Sequence, residues 1–277
     1  MNVRDLLAAA TKNLGGIEAR LDAELLLAHV LNVSRAWLYA WPEHAPDAAQ
    51  REAFEQHVVA RERGEPVAYL IGHREFWSLD LEVTPAVLIP RPETELLVEV
   101  ALEHLPRDRP MRVADLGTGS GAIALALARE RPLAQVLATD ASDVALDVAR
   151  RNAARLAVDN VTFAQGDWCA ALTGGRFELI ASNPPYIASD DAHLDTGDLR
   201  REPRMALVSG RDGLDAIRRI VADTSAHLAA GGWLLLEHGW DQAARIRALF
   251  ESHEYTDISS VRDTAGHERV TLGRKRD

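Results

Sequence analysis

The sequence predicts an α/β fold in which a mostly parallel sheet is covered by helices on both faces and preceded by a small helical domain. Three observations lead to this prediction. From residue 112 onwards, short apolar runs alternate with amphipathic segments, as strands and helices do in a parallel sheet. Residues 1–75 show helical periodicity. Residues 76–90 alternate between apolar and polar in the way of a β-hairpin, which would join the two domains.

The helical domain is predicted over residues 1–75. Asn2 and Asp5 have the spacing of a capping box, so the first helix should begin after Asn2. Ser34 and Asp47 are predicted as the N-caps of a short and a longer helix. No set of charged residues converges here in the way of a catalytic site. We therefore expect this domain to be a substrate-docking surface.

The hairpin is predicted over residues 76–90. Its first strand would carry the alternating apolar residues Trp77, Leu79, Leu81 and Val83. Pro85 is predicted to form the turn, and residues 87–89 would return as the second strand. Pro92 follows, and it suits the first turn of a helix.

The sheet domain is predicted over residues 91–277. Its expected strands are residues 112–116, 135–139, 161–164, 177–182 and 233–237. Its expected helices are residues 121–130, 143–156, 213–228 and 242–252. Residues 255–261 and 269–272 are predicted to form a closing hairpin. Nearly continuous apolar strands separated by helices indicate a sheet that is buried on both faces.

Composition restricts the environment and the partners. The net charge of −11 weighs against a protein that grips nucleic acid through many phosphates. No apolar run has the length of a membrane span, and the amino terminus does not resemble a signal peptide. Cys169 is the single cysteine, so no internal disulfide is possible. We expect a cytoplasmic protein that acts as a monomer, with no membrane and no stable nucleic-acid partner.

We predict no metal site. The spacings that are typical of zinc sites do not occur. One acidic cluster is a weaker candidate, but we expect it to be a solvated loop: Asp190, Asp191, His193, Asp195 and Asp198.

A glycine loop follows the first strand of the sheet domain, with the residues Asp115, Leu116, Gly117, Thr118, Gly119, Ser120 and Gly121. Glycines let the backbone turn tightly and approach a ligand closely. Asp140 ends the next strand, 19 residues after Gly121, where a carboxylate can accept hydrogen bonds from ribose hydroxyls. Loop and acid predict a nucleoside cofactor, either NAD or S-adenosylmethionine.

Two residues at the end of the third strand extend this cofactor site. Asp167 could accept a hydrogen bond from an adenine amino group, and Trp168 could cover the ring. An ordinary turn with a half-buried tryptophan is the alternative interpretation.

The fourth strand ends in Asn183, Pro184, Pro185 and Tyr186, which favour nitrogen methylation. An amide nitrogen is a poor nucleophile because its lone pair is delocalised into the carbonyl. The side-chain oxygen of Asn183 and the backbone carbonyl of Pro184 can accept hydrogen bonds from both N–H groups of the amide. The lone pair of the nitrogen is then aimed at the methyl group. The two prolines fix the backbone of these acceptors. Tyr186 can stack on the flat substrate group.

With these motifs the chain resembles the HemK/PrmC family, the glutamine N5-methyltransferases of class 1 peptide chain release factors. The resemblance covers most of the chain and also includes residues 88–95, 167–168, 183–187, 202–203 and 206–207. It implies a Rossmann-like class I S-adenosylmethionine-dependent methyltransferase domain. It also implies that Gly117 to Gly121, Asp140 and Trp168 bind S-adenosylmethionine, and that Asn183 to Tyr186 hold the glutamine of a Gly-Gly-Gln tip.

Other classes remain at this point. A glutamine methyltransferase of ribosomal protein uL3 would share most of these motifs. A DNA or RNA base amino methyltransferase would need the same two acceptors, although it would want a basic groove. A nicotinamide dehydrogenase would use the loop and Asp140 but would not explain Asn183 to Tyr186. An inactive nucleotide-binding adaptor would need neither motif intact.

Overall fold

The computed structural model describes residues 1–172 and 175–276, and these form two compact units. The first unit contains Met1–His73 together with Thr196–Arg201. The second contains Arg74–Asp195 and the chain from Glu202 onwards. The short segment Thr196–Arg201 therefore belongs with the helices of the first unit, although it is distant from them in sequence.

The first unit is helical, as the periodicity predicted. Asn2 accepts a hydrogen bond from Asp5 N at 3.0 Å, and the Asp5 carboxylate accepts one from Asn2 N, which confirms the capping box. Ser34 and Asp47 also cap helices as predicted. The helices are α1 (Val3–Leu14), α2 (Ala19–Leu31), α3 (Arg35–Ala40), α4 (Ala48–Glu62) and α5 (Val67–Ile71). Their shared core includes Leu6, Leu7, Leu26, Leu27, Phe54 and Val58.

Arg61 links two parts of this first unit. Its Nε donates to Asp22 on α2 at 2.7 Å, and its Nη1 donates to Asp198 at 2.6 Å. Asp22 is buried, so a paired arginine offsets the cost of burying its charge. The Thr196–Arg201 segment is thereby held by α4.

The hairpin lies earlier in the chain than we predicted. Its strands are β1 (His73–Phe76) and β2 (Leu79–Glu82), and residues 87–89 are not a strand. Trp77 and Ser78 form the turn, with φ of 51° and 56°. A two-residue turn with positive φ at both positions has the twist that suits a β-hairpin. Glycine and asparagine are the residues that usually occupy these positions. Pro85 does lie in a turn, closed by a hydrogen bond from Val87 N to Thr84 O at 3.0 Å, but no strand returns after it. The turn of the hairpin itself was missed because Trp77 and Ser78 carry no turn signal.

Seven strands of the described residues form the sheet of the second unit, in the order β5-β4-β3-β6-β7-β9-β8. The first five are parallel, and β9 runs antiparallel to both β7 and β8. This confirms the predicted sheet and the closing hairpin. The strands are β3 (Arg112–Leu116), β4 (Gln135–Asp140), β5 (Val161–Gln165), β6 (Phe177–Ser182), β7 (Leu228–Glu237), β8 (Tyr255–Arg262) and β9 (Glu268–Lys275).

Both faces of this sheet are buried. Val113 and Leu179, paired across β3 and β6, belong to one core, whereas their neighbours Ala114 and Ile180 belong to the other. Adjacent residues of a strand point to opposite faces, so most positions of these strands are apolar. The flanking helices are α6 (Glu95–Glu103), α7 (Ala122–Glu130), α8 (Asp143–Arg155), α9 (Asp215–Thr224) and α10 (Ala243–Ser252).

The predicted helix over residues 213–228 is too long. The helix α9 ends at Thr224, and Leu228 already pairs with Phe177 at the start of β6. A register shift between Phe177 and Leu179 allows this early pairing, so β7 is longer than the apolar run 233–237. Among residues 1–172 and 175–276, every helix is too short or too polar to cross a lipid bilayer.

Candidate active site

A cavity of about 210 Å³ lies at the carboxyl edge of the sheet, beside the ends of β3, β4, β5 and β6. The strand order reverses at β3, which has β4 on one side and β6 on the other, and ligands of open α/β sheets bind at such a point. Several predicted site residues line this cavity together: Gly117, Gly119, Asp140, Asp167, Trp168, Asn183 and Pro185.

The glycine loop contributes backbone to the cavity. Gly117 and Gly119 have φ of 73° and 56°, which L side chains rarely adopt. A Cβ on Gly117 would lie 3.3 Å from the ring of Trp168. A side chain at this position would therefore be strained by its backbone conformation and would press on the indole of Trp168.

The other loop residues support this conformation. Thr118 and Ser120 are buried, and the Thr118 hydroxyl donates to Asp115 Oδ2 at 2.6 Å. Asp115 also accepts from Ala124 N at 3.2 Å in the first turn of α7. Burial raises the pKa of Asp115 to about 7. The side chains of Thr118 and Ser120 point into the protein, so any ligand contact from them would come from the backbone.

Asp140 is half-buried at the end of β4 with both oxygens already oriented. Its Oδ2 accepts from Gly119 N at 2.9 Å, and its Oδ1 accepts from Ser142 N at 2.9 Å. A carboxylate oxygen can accept more than one hydrogen bond. The two backbone donors thus hold the carboxylate at the cavity while leaving it acceptor capacity.

Asp167 and Trp168 follow β5 on another wall of the cavity. Trp168 is half-buried and has a φ of 51°, unusual for a bulky residue. Asp167 is exposed, and its Oδ2 accepts from Arg219 Nη1 at 2.5 Å. The predicted adenine acceptor is therefore also half of a surface ion pair.

Asn183 has a defined amide orientation. Its Nδ2 donates to Thr94 Oγ1 at 3.0 Å, and Thr94 is buried. The amide oxygen of Asn183, on the other side of the group, is then the atom that can accept from a ligand. Pro184 is buried beside it, and Pro185 lines the cavity.

Glu237 lies behind Asn183, at the carboxyl end of β7. It accepts from the Tyr186 hydroxyl at 3.3 Å. Complete burial raises the pKa of Glu237 to about 7, although the nearby hydroxyl groups of Thr94 and Tyr186 and the charge of Arg269 oppose the rise. Burial and the charge of Glu237 likewise raise the pKa of the Tyr186 phenol, so Tyr186 remains a hydrogen-bond donor.

Two chain segments complete the cavity: residues 86–88 and residues 203–206. Glu202 joins them, because its Oε2 accepts from Ile89 N at 3.0 Å and its Oε1 pairs with Arg91. The Glu202 side chain is completely buried. Breaking one partner of such a pair leaves an uncompensated buried charge, so Glu202 anchors these walls.

Comparison with known proteins places the chain among methyltransferases. Residues 5–72 match the PrmC N-terminal domain, and residues 93–200 match the methyltransferase small domain. The chain is 55% identical over 269 residues to the release factor glutamine methyltransferase of Xylella fastidiosa strain Temecula1, covering 97% of this chain and 96% of that protein. The chain belongs to this family.

Further members agree with this assignment. The chain is 50% identical to the release factor glutamine methyltransferase of Coxiella burnetii and 48% identical to that of Escherichia coli K12, each over 92% of both proteins. The resemblance to the HemK/PrmC family in the sequence is confirmed.

Solved structures support the fold. A methyltransferase from Pyrococcus furiosus superposes with a TM-score of 0.55 at 19% identity, over 72% of this chain and 90% of that chain. The 16S rRNA N2 G1207 methyltransferase of T. thermophilus, in complex with AdoMet and guanosine, gives a TM-score of 0.56 at 22% identity. The match covers 74% of this chain and 50% of that chain. The predicted methyltransferase fold class is confirmed.

Sequence reasoning missed Thr94 and Glu237. A usable signal exists for Glu237, since an acid that ends an apolar strand lies at the same sheet edge as Asp140 and Asn183. Thr94 offers no such signal, because its contact with Asn183 spans 89 residues.

The predicted acidic loop does not form one cluster, because Asp191 pairs with His193, and Asp198 pairs with Arg61. Within the described part of the chain, no group of three or more such residues could hold a metal ion.

Proposed function

We propose that this protein transfers a methyl group from S-adenosylmethionine to the side-chain amide nitrogen (N5) of the glutamine in the Gly-Gly-Gln motif of class 1 peptide chain release factors. The observation that carries the proposal is the amide of Asn183, which donates to Thr94 and keeps its oxygen as an acceptor beside the cavity. A substrate that is methylated on an amide nitrogen needs hydrogen-bond acceptors for its N–H groups beside the cavity.

The cavity residues fit S-adenosylmethionine. The carboxylate of Asp140 would accept from the ribose hydroxyls, Trp168 would cover the adenine, and Asp167 would accept from the adenine amino group. Gly117 and Gly119 would bring loop backbone against the cofactor, with Thr118, Ser120 and Gly121 shaping the loop. When bound, the cofactor supplies an electrophilic methyl group on its sulfonium.

The chain's own residues prepare the nucleophile. The Asn183 oxygen and the Pro184 carbonyl would accept hydrogen bonds from the two N–H groups of the glutamine amide. These hydrogen bonds increase the electron density on the nitrogen and orient its lone pair. Pro184 and Pro185 reduce the motion of these acceptors, so less reorganisation is needed in the transition state. Tyr186 would contact the flat amide with its ring, because its hydroxyl is engaged by Glu237.

The substrate assignment rests on the relatives, which are named as release factor glutamine methyltransferases. A small amide cannot distinguish one protein glutamine from another, so recognition must use surfaces remote from the reaction. The helical first unit is our candidate for that surface. We further propose that the protein acts as a monomer in the cytoplasm without a stable nucleic-acid partner.

The test uses purified protein, S-adenosylmethionine with a labelled methyl group, and an intact class 1 release factor. We expect label on the Gly-Gly-Gln glutamine, located by peptide mass spectrometry, and none when that glutamine is replaced by alanine. Ribosomal protein uL3 serves as the competing substrate. Faster labelling of uL3 would overturn the release factor assignment but not the glutamine chemistry.

Asn183→Ala should reduce kcat on the release factor by at least about 100-fold, the scale seen when one preorganised electrostatic group is lost. The Kd for S-adenosylmethionine, measured by calorimetry, should change much less. Asn160→Ala is a matched control, because Asn160 donates to backbone carbonyls of Ala128 and Ala134 away from the cavity. Near-wild-type turnover of a folded Asn183→Ala enzyme would refute its role.

A further inference from the structure

Gln242 is a buried side-chain amide in the turn between β7 and α10, and it does not line the cavity itself. Its Oε1 accepts from Gly239 N at 2.9 Å, and its Nε2 donates to the backbone carbonyl of Tyr186 at 2.9 Å. A backbone N–H can only donate, and a carbonyl can only accept. These two partners therefore fix the orientation of the Gln242 amide.

The contact between Gln242 and Tyr186 is closely packed against a third chain segment. Gly213 has φ of 75°, and a Cβ built on it would overlap the carbonyl oxygen of Tyr186 and lie 2.7 Å from Gln242 Nε2. Only glycine allows backbone to approach a hydrogen bond this closely without strain. The Tyr186 carbonyl thus has little room to turn towards another donor.

Residues 183–186 need such an anchor, because their two prolines have no N–H to donate. A proline ring fixes φ, but the direction of its carbonyl depends on ψ, which the ring leaves free. On the side before this segment, the Ser182 hydroxyl donates to a carbonyl of β3 at 2.7 Å. On the side after it, Gln242 holds the carbonyl of Tyr186, and the next N–H in the chain is bonded as well. The Pro184 carbonyl lies between these anchors and depends on both for its direction.

We propose that Gln242 is a positioning residue for methyl transfer, which acts through the carbonyl of Tyr186 to hold the Tyr186 ring and the Pro184 carbonyl in place for the substrate amide. This inference rests on the proposed function, which assigns these two groups to the substrate. The same turn holds the other oxygen of Tyr186, because Glu237 accepts from the Tyr186 hydroxyl at 3.3 Å. Residues 237–242 thus fix Tyr186 at both ends.

Replacement of Gln242 by glutamate gives a variant in which pH switches the hydrogen bond. The protonated carboxyl group has an O–H that can donate to Tyr186 and an oxygen that can accept from Gly239, as the amide does. The ionised group has only acceptors, so one of its oxygens would repel the Tyr186 carbonyl. Burial disfavours the ionised form and moves the switch towards neutral pH.

The experiment measures kcat on a Gly-Gly-Gln peptide for the wild type, Gln242→Glu and Gln242→Met between about pH 5 and about pH 9. As the pH rises, we expect the kcat of Gln242→Glu relative to wild type to fall at least about tenfold, since small errors in position are costly in catalysis. Gln242→Met cannot donate, so its kcat should be at least about tenfold below wild type at every pH. The Kd for S-adenosylmethionine should stay within about twofold in both variants.

Gln135→Glu is the control for an added carboxylate, because Gln135 is exposed at the start of β4, at the opposite edge of the sheet. Its kcat relative to wild type should not change with pH. Glu237, His238 and Asp241 are present in every variant, so their titration cancels in these ratios. A side chain that only stabilised the fold would lower the midpoint of unfolding and leave the kcat of folded protein unchanged.

Two results would overturn the proposal: wild-type kcat in folded Gln242→Met, or a relative kcat of Gln242→Glu that does not change with pH. If Gln242→Met does not fold, the pH series of Gln242→Glu decides alone, because its protonated form keeps both hydrogen bonds.

A second measurement does not depend on activity. Tyrosine rings labelled with ¹³C are followed by NMR, and the Tyr186 signal is assigned from its loss in Tyr186→Phe. The signal should be shifted in Gln242→Met, and in Gln242→Glu it should return to the wild-type position only at low pH. A signal at the wild-type position in both variants at every pH would overturn the positioning role. Shifted signals in the variants of a protein that does not methylate glutamine would instead contradict only the proposed function.

Discussion

Asp115 and Glu237 are both completely buried at the carboxyl edge of the sheet, and the pKa of each is raised to about 7. One oxygen of each has no hydrogen-bond partner in the described part of the chain. Asp140, between them in sequence, is half-buried and accepts two backbone hydrogen bonds. Carboxyl groups of the same chemistry thus differ by environment: Asp115 bonds to the glycine loop and Glu237 to Tyr186, whereas Asp140 lines the cavity.

The raised pKa of Glu237 predicts a pH-dependent stability. The folded protein holds the proton up to about pH 7, whereas an unfolded glutamate loses it near its usual pKa of 4.5. The folded state therefore binds more protons in this window, and the free energy of unfolding should fall as the pH rises from about 4.5 to about 7. Glu237→Gln should lack this contribution.

Urea unfolding of the wild type and Glu237→Gln at pH 5 and pH 8 measures the difference. As the pH rises from 5 to 8, the free energy of unfolding of the wild type should fall relative to that of Glu237→Gln. Asp115 titrates in both proteins, so its effect cancels in the comparison. A difference that stays constant with pH would contradict the raised pKa of Glu237.

A second residue-scale prediction concerns Asp140. Asp140→Ala should weaken S-adenosylmethionine binding by about 2–3 kcal/mol, the range for hydrogen bonds to a charged group. Asp143→Ala is the matched control, because Asp143 is a nearby exposed carboxylate at the start of α8. Calorimetry should find its Kd unchanged. Equal affinity of the two folded variants would refute the ribose role of Asp140.

At the scale of elements, the parallel sheet was predictable and the hairpin was not. The strands β3 and β6 have the bounds that the sequence predicted, because a strand buried on both faces is a short, mostly apolar run. The turn of the first hairpin uses Trp77 and Ser78 with positive φ, which is against the local preference of these residue types, so their sequence did not indicate it.

The same distinction applies to the site. Strand-end residues such as Asp140 and Asn183 were predictable, because parallel strands bring their carboxyl ends to one edge. The contact of Glu202 with Ile89 joins residues 113 positions apart, and spacing in the sequence carries no information on it. Met205 lies on the segment that this contact holds, and its place in the cavity wall was likewise not predictable from the sequence.

This long-range anchor gives an element-scale prediction. Glu202→Ala leaves the Ile89 N–H and Arg91 without their shared acceptor and releases the segment that carries Pro203 and Met205. The Kd for S-adenosylmethionine should rise about tenfold, equivalent to one lost buried hydrogen bond to a charged group. Arg204→Ala is the control on the same segment, since its exposed contact with Asp195 at 4.0 Å should contribute little. Equal Kd values for the two variants would show that Glu202 does not anchor the cavity.

At the scale of the whole molecule, the first unit has buried ionic contacts but none of the residues proposed to react. Glu24, for example, is buried among Arg20, Arg35 and Tyr39, whose hydrogen bonds lower its pKa although burial, the largest influence, opposes them. Such fully partnered groups indicate a rigid helical unit. A rigid unit without reactive groups is suited to bind the partner protein and so to position its glutamine.

Removal of this unit should affect a protein substrate more than a peptide. A chain beginning at Gly72 keeps β1 intact and should still bind S-adenosylmethionine. Its kcat/KM should fall far more on an intact release factor than on a Gly-Gly-Gln peptide, because the peptide does not reach the missing surface. Circular dichroism is used first to confirm folding.

The truncation also deprives Asp198 of Arg61, which could loosen Thr196–Arg201 and affect both substrates. Arg61→Met in the full chain is therefore the control, because it removes that contact and retains the helices. If recognition is the role of the first unit, Arg61→Met should leave the ratio of kcat/KM on the two substrates close to wild type, whereas the truncation should change it at least about tenfold, as the loss of specific contacts does. Equal losses on both substrates in the truncated chain would mean that the helices support the active site instead of binding the release factor.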